Sequence, residues 1–145
     1  MIELSASIEI ARPPSAVWEV LTDFEAYDEW NPYVSVLRGT PTEGSAIEFR
    51  ISPEARHTRT ETGKVTEAEI GERLRFDSVA LYRFIYASNH TLELEALDGE
   101  RTTTGVRTRA EYRGILAPLV AGEDLEEDLE AMNRALADRV EGRFP

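Results

Sequence analysis

The chain has no cysteine, few glycines and prolines, and no long apolar run. Without cysteine it can form no disulfide, no thiolate metal site and no cysteine nucleophile. Nine glycines and seven prolines give no repetitive or disordered bias, which excludes collagen and low-complexity chains. No apolar stretch approaches the roughly 20 residues of a membrane span, and the N-terminus lacks the basic and apolar regions of a signal peptide. We therefore expect a cytoplasmic protein without membrane insertion.

Basic residues and histidines are also scarce. Sixteen basic residues against 28 acidic ones leave a net charge of -12, which would repel a nucleic-acid backbone, so we expect no nucleic-acid partner. His57 and His90 are the two histidines, and with no cysteine beside them we expect no dedicated metal site. The GxSxG, GxGxxG and P-loop motifs are missing as well. We therefore expect no cofactor.

The length and composition are those of one globular domain, which we place at residues 1–145. The chain has 145 residues and is 41% hydrophobic and 30% charged. Its first segment, Ile2 to Ile10, alternates apolar and polar residues, a pattern typical of a strand with one buried face. Prolines at Pro13 and Pro14 then favour a helix entry, and we predict a helix to about Thr22 and a second short helix through Trp30.

The middle of the chain consists of short β-rich runs separated by turn residues, the pattern of an antiparallel meander. We predict six strands here: Tyr33 to Arg38, Ala46 to Ser52, Thr58 to Ile70, Arg73 to Leu81, His90 to Leu97, and Thr102 to Arg113. The aromatic segment from Tyr82 to Asn89 is less regular, and we interpret it as a loop or bent strand.

The last segment changes to a helical period. Six of the eight residues from Glu123 to Glu130 are acidic and Arg139 follows, an order that suits the dipole of one helix. A single apolar stripe runs along this helix to about Glu141: Leu125, Leu129, Met132, Leu136 and Val140. Together the elements predict an α+β fold in which a seven-stranded antiparallel sheet packs against a long C-terminal helix.

Short motifs are distributed over nearly the whole chain: Ile10-Ala11-Arg12-Pro13-Pro14, Val17-Trp18, Leu21-Thr22-Asp23-Phe24, Tyr27, Trp30-Asn31-Pro32, Phe76, His90-Thr91-Leu92-Glu93-Leu94, Leu97-Asp98-Gly99, Tyr112-Arg113-Gly114, Ala117-Pro118-Leu119 and Glu130-Ala131-Met132-Asn133. With these motifs the chain resembles the START-like superfamily, also called the birch-pollen-allergen-like or helix-grip fold (SRPBCC), and within it the polyketide cyclase/dehydrase and lipid-transport family. The resemblance implies a curved sheet that grips the last helix and leaves an internal cavity between them.

His90 is the candidate polar group of that cavity, because it shares its strand phase with Leu92 and Leu94. It is a weak catalytic candidate, as a general base or as a hydrogen-bond partner for a ligand, and a structural histidine is the alternative. The residues that we expect to line the cavity are Trp30, Tyr33, Phe49, Phe76, Tyr82, Phe84, Tyr86, His90, Leu92, Tyr112, Leu129, Met132 and Leu136.

Three functions fit this interpretation. The first is binding or transport of an apolar or amphipathic small molecule, such as a lipid, a polyketide or an aromatic metabolite. The second is a polyketide cyclase/dehydrase-type enzyme that uses acid/base residues of the cavity. The third is a co-chaperone-like interaction module that docks through its outer surface. The sequence favours the first, because no catalytic constellation accompanies His90, and it leaves the oligomeric state open.

Overall fold

The computed structural model describes residues 1–51, 59–80, 82, 84–120 and 125–142. It contains a seven-stranded antiparallel sheet curled into a half-barrel, with a C-terminal helix and short helices. The strands are β1 (Ile2–Ile10), β2 (Val34–Arg38), β3 (Ala46–Ile51), β4 (Arg59–Glu69), β5 (Arg73–Ala80), β6 (Tyr86–Ala96) and β7 (Thr104–Arg113). The helices are α1 (Pro14–Thr22), a 3₁₀ helix (Phe24–Glu29), α2 (Ala117–Val120) and α3 (Leu125–Val140).

The strands lie in the order β1-β7-β6-β5-β4-β3-β2, and every neighbouring pair is antiparallel. Strands β2 to β7 therefore form a continuous meander, and β1 closes one side by pairing with β7 from Ile2 opposite Tyr112 to Ile10 opposite Thr104. The predicted helix-grip fold, with two short helices between the first two strands, is confirmed.

Strand β6 begins earlier than the sequence indicated. It starts at Tyr86 instead of His90, because the backbone of residues 86–89 pairs with β5 on one side and, from Ala87 onward, with β7 on the other. Ser88 and Asn89 have low intrinsic strand propensity, which the two neighbouring strands override. Of the two interpretations of residues 82–89, a loop or a bent strand, the strand is the correct one for residues 86–89. The predicted ends at Ser52, Thr58 and Leu81 lie outside the described residues.

Helix α3 buries the apolar stripe that the sequence indicated. Leu125, Leu129, Met132 and Leu136 are buried, and Val140, at the end of the helix, is half-buried. Three acidic residues occupy its first turn and Arg139 its last, which places opposite charges at the two ends of the helix dipole. None of the helices in the described ranges is long and apolar enough to cross a membrane.

The inner face of the sheet is set by alternation along its central strands. On β5 and β7 the buried positions are the even-numbered residues from Leu74 to Ser78 and from Thr104 to Tyr112. On β6 the even-numbered residues from Tyr86 to Leu94 are buried, together with Ala87 and Thr91 of the other face. On β4 the corresponding positions are Glu61, Gly63 and Val65. At Gly63 the backbone of β5 comes so close that a Cβ atom would lie 1.7 Å from the carbonyl oxygen of Asp77. Because of the alternation along these strands, polar residues at inward-facing positions are buried inside the protein.

Candidate functional site

The interior contains a polar centre of three side chains, His90, Tyr33 and Tyr112. His90 is only 2% exposed and the two tyrosines are equally buried. The hydroxyl oxygens of Tyr33 and Tyr112 lie 2.5 Å apart, and Nε2 of His90 lies 3.3 Å from the first and 3.2 Å from the second. Strands β6 and β7, together with Tyr33 just before β2, thus bring one imidazole and two phenols together among apolar side chains.

Strand pairing and one asparagine position these groups. His90 lies opposite Phe76 of β5, and the two rings stack with centroids 5.0 Å apart. Tyr112 follows by two residues the β7 partner of His90, Ala110, and so projects from the same face. Asn31 holds the start of β2, because its side-chain oxygen accepts hydrogen bonds from the backbone N–H groups of Tyr33 and Val34, both at 2.9 Å. The Trp30-Asn31-Pro32 motif therefore positions Tyr33.

Counting protons assigns the tautomer of His90. The two phenols supply two protons for the three contacts, so one phenol donates to the other and the second donates to Nε2. Nδ1 then carries the ring proton, and it has no hydrogen-bond partner among the described residues. With the opposite tautomer a phenol proton would be orphaned in addition to Nδ1. The arrangement with fewer orphaned groups leaves a buried N–H donor on His90.

All three groups are uncharged at neutral pH. Burial lowers the pKa of His90 to about 3, because desolvation disfavours the imidazolium. Burial also raises the pKa of Tyr33 and of Tyr112 above the ordinary value of a phenol. The centre can therefore donate and accept hydrogen bonds, but it offers no charge of its own to an anion.

A small void adjoins the polar centre. Its volume is about 10 Å³, which is room for about one water molecule. The residues around it are Tyr27, Asn31, Tyr33, Val34, Phe76, His90, Leu92, Thr108 and Met132. Around the polar centre, the described side chains thus fill most of the space between the sheet and α3.

The residues that the sequence placed in the cavity divide into three groups. Those at the void are Tyr33, Phe76, His90, Leu92 and Met132. Those buried in the surrounding core are Trp30, Phe49, Tyr86, Tyr112, Leu129 and Leu136. Tyr82 and Phe84 lie instead at the surface, 66% and 67% exposed, with their rings stacked 5.6 Å apart.

Sequence reasoning missed two buried polar residues that contact each other, Thr108 and Asn133. Thr108 of β7 lines the void and donates a hydrogen bond of 2.7 Å to Oδ1 of Asn133 on α3. Asn133 is 2% exposed, and its amide nitrogen has no hydrogen-bond partner in the part of the chain that the structure describes. The sequence could have shown that Asn133 is buried, because Asn133 follows Leu129 by four residues and so lies on the same face of the helix as the apolar stripe.

A second polar cluster, which the sequence also did not reveal, lies around Glu61. Its carboxylate accepts hydrogen bonds from the hydroxyls of Ser78 at 2.6 Å, Ser88 at 2.9 Å and Tyr86 at 2.9 Å. The two serine hydroxyls lie 2.7 Å apart. Glu61 is 6% exposed, and we call these four residues the Glu61 cluster.

Residues 1–141 match the family described as polyketide cyclase/dehydrase and lipid transport. The chain belongs to this family. Among solved structures, it is similar to a protein from Chromobacterium violaceum with 20% identity and a TM-score of 0.75, covering 97% of this chain and 99% of that one. It is also similar to a START superfamily protein from Mycobacterium smegmatis, with 17% identity, a TM-score of 0.70, and 98% and 99% of the two chains covered.

A third similar structure is the di-domain ARO/CYC protein BexL, with 16% identity and a TM-score of 0.70. The likeness covers 97% of this chain and 47% of that one. No curated protein matches the chain. These likenesses support the helix-grip fold of the polyketide cyclase/dehydrase and lipid-transport family, and at such identities they carry no residue roles to this chain.

Proposed function

We propose that the protein binds an apolar or amphipathic small molecule between the sheet and α3, with an uncharged oxygen of the ligand at His90. The observation that carries the proposal is an unused donor at the void: His90 lines the void, and its ring N–H has no hydrogen-bond partner among the described residues. Buried polar groups in proteins are nearly always hydrogen-bonded, so an unused donor at a void favours a ligand that supplies an acceptor.

The electrostatics select the kind of acceptor. His90 is uncharged, and burial keeps Tyr33 and Tyr112 protonated by raising the pKa of each phenol. A carboxylate ligand would enter this interior without a cationic partner at the polar centre, which is costly. A ketone, ester or ether oxygen accepts the same hydrogen bonds without that cost. The site therefore favours an uncharged oxygen-bearing ligand over a fatty-acid anion.

Binding requires the interior to widen, because a void of about 10 Å³ holds no organic molecule. Met132 of α3 lines the void, and methionine is the side chain that adapts most readily to a changed cavity shape. If the flexible side chain of Met132 moves aside, the void becomes larger and can take up the apolar chain of the ligand.

The test is competition against a neutral environment-sensitive dye, Nile red, at pH 7. We expect saturable binding of one dye per chain, displaced by 2-dodecanone and at least about tenfold less well by dodecanoate, because the anion must be desolvated without a partner. Binding should also raise the melting temperature. Dye binding that does not saturate, or that neither amphiphile displaces, would refute an internal site.

A matched pair of variants separates binding in the void from general loosening. Met132→Ala enlarges the void directly, so it should strengthen the binding of 2-dodecanone while costing about 2 to 5 kcal/mol of stability. Leu129→Ala removes a side chain of similar size from the same helix, away from the void, and should cost similar stability without tighter binding. Equal affinities in both variants would contradict the assigned position of the ligand.

A cyclase or dehydrase activity is the second candidate, and the adjacent hydroxyls of Tyr33 and Tyr112 favour it. The phenol that donates to Nε2 of His90 could turn its proton to the oxygen of an enolising ketone instead, while the other phenol keeps donating to it. His90 would be a weak base, since its pKa of about 3 lies far below neutral pH. Turnover of a poly-ketone substrate that collapses in His90→Gln, while ligand binding persists, would favour the enzyme over the carrier.

A further inference from the structure

The Glu61 cluster is a buried carboxylate that three hydroxyl groups hold. Glu61 of β4 is 94% shielded from solvent, and Ser78, Ser88 and Tyr86 donate hydrogen bonds that its oxygens accept. A carboxylate offers about four acceptor positions, so the three donors found among the described residues leave one of them open. Within the described ranges, no lysine or arginine forms an ion pair with Glu61.

A buried charge without a counter-ion is costly, and proteins seldom keep one without a use. Glu61 loses its contact with water when the chain folds. The binding of a cationic ligand therefore does not include the free-energy cost of desolvating this carboxylate. A charge-assisted N–H···O contact in such surroundings is about twice as strong as an uncharged one. The cluster is therefore suited to an ammonium group.

Two acidic side chains act on the phenols of the polar centre. Burial is the main cause that raises the pKa of Tyr33 and of Tyr112, and Glu61 and Asp128 of α3 raise both values further. Aromatic rings border the cluster as well: Tyr86 belongs to it, its ring centroid lies 6.4 Å from that of Tyr112, and Phe49 lies opposite Glu61 on β3. A carboxylate beside aromatic faces is the chemistry that recognises organic ammonium ions.

The cluster is aligned with the polar centre along one strand. Ser88 precedes His90 by two residues on β6, so the two side chains project from the same face roughly 7 Å apart. Ser88 lies toward the end of the sheet where β6 begins, and the void lies on the other side of His90, at Leu92 and Thr108. A chain-like molecule with its head at Glu61 would pass His90 and extend toward the void.

We propose that the Glu61 cluster binds the ammonium group of an amphipathic amine, whose apolar part lies past His90 in the interior. This proposal rests on the proposed function, because it assigns the head group of the same ligand. It narrows the ligand class to molecules with a cationic nitrogen at one end and an apolar body, with an uncharged oxygen between them for His90.

The test compares three probes of one chain length, decylamine, 1-decanol and decanoate, as competitors of Nile red below their micelle concentrations at pH 7. We expect decylamine to bind about tenfold or more tightly than 1-decanol, and decanoate to bind most weakly. If 1-decanol and 2-dodecanone bind but decylamine binds no better, the amine proposal is overturned and the proposed function stands. If none of the probes competes, both are overturned.

Two variants test whether the preference for decylamine over 1-decanol arises at Glu61. Glu61→Gln keeps the size of the side chain and removes the charge, so the advantage of decylamine over 1-decanol should fall to within about threefold. Glu69→Gln makes the same change of net charge at an exposed position of the same strand and should leave the advantage intact. An unchanged preference in Glu61→Gln, or an equal loss in Glu69→Gln, would overturn the assignment to the cluster.

The melting temperature of the ligand-free protein distinguishes a binding role from a structural one. If Glu61 serves ligand binding and not stability, the ligand-free Glu61→Gln variant should melt at the same temperature as the parent or at a higher one. The reason is that the substitution removes a buried charge that has no counter-ion. A melting temperature lowered by more than about 5 °C would mark the carboxylate as a structural group and overturn the proposal.

Discussion

The buried, uncharged His90 makes the stability of the protein depend on pH in a defined window. Its pKa is lowered from an ordinary 6.5 to about 3 in the folded chain, so the folded state favours the neutral ring. This stabilisation is complete above pH 6.5 and is lost as the pH falls from 6.5 toward 3. In that range His90 binds a proton in the unfolded chain but stays neutral in the folded chain, so protonation favours unfolding. The loss amounts to about 2 kcal/mol at pH 5 and about 3 kcal/mol at pH 4.

Urea unfolding of the parent and of His90→Gln at pH 7, 6 and 5, followed by circular dichroism, measures this loss. The variant should be less stable than the parent at pH 7, because it loses the stacking on Phe76 and the phenol contact. From pH 7 to pH 5 the parent should lose about 2 kcal/mol more than the variant. Most carboxylates titrate below this window, and their effect cancels in the difference.

His57→Gln serves as the control, because it leaves His90 as the sole histidine of the chain. The loss between pH 7 and pH 5 should persist in this variant. A parent and a His90→Gln variant whose stabilities fall in parallel would refute the burial of an uncharged imidazole.

Three further predictions concern the fold and the entrance for ligands. Leu129→Ala should lower the free energy of unfolding by about 2 to 5 kcal/mol, and a melt that matches the parent would show that α3 is not packed through this stripe. Gly63→Ala should cost about 3 kcal/mol or more, because its Cβ would overlap a backbone carbonyl of β5, and a stable variant would contradict this strand spacing. Amide exchange at residues 84–86 and 114–117, which hydrogen-bond to each other, should slow when 2-dodecanone binds, whereas the turn between β4 and β5 is unaffected. Protection at that turn instead would place the entrance at the opposite end of the sheet.

The fold could be predicted because its elements carry unambiguous periods. β1 alternates strictly over nine residues, and the stripe of α3 keeps helical spacing over four turns. The start of β6 could not be predicted from local preference, because Ser88 and Asn89 join the strand only through pairing on both sides. Such boundaries depend on tertiary neighbours that the sequence does not display.

The candidate site was predicted in part for a similar reason. His90 shares its phase with apolar neighbours, which indicated a buried ring, but Tyr33 reaches it from the residue before β2, which is 57 residues away in the chain. Glu61 lies between two threonines on β4 and resembles an ordinary surface charge until its partners on β5 and β6 are known. Tyr82, Phe84 and Tyr86 alternate in the sequence, which suggested that all three line the cavity. A turn that begins at Tyr82 precedes β6, so Tyr86 is buried whereas Tyr82 and Phe84 are exposed.

The central claim is that the ring N–H of His90 is an unused donor that meets the ligand inside the protein. Nitrogen-15 NMR of the histidine rings tests it directly, with 2-dodecanone added to saturation and His57 as the internal reference. We predict that free His90 is the neutral tautomer with its proton on Nδ1 at pH 7, and that this nitrogen shifts in proportion to site occupancy. A His90 ring that is protonated on Nε2, or that does not respond while 2-dodecanone binds, would contradict the account.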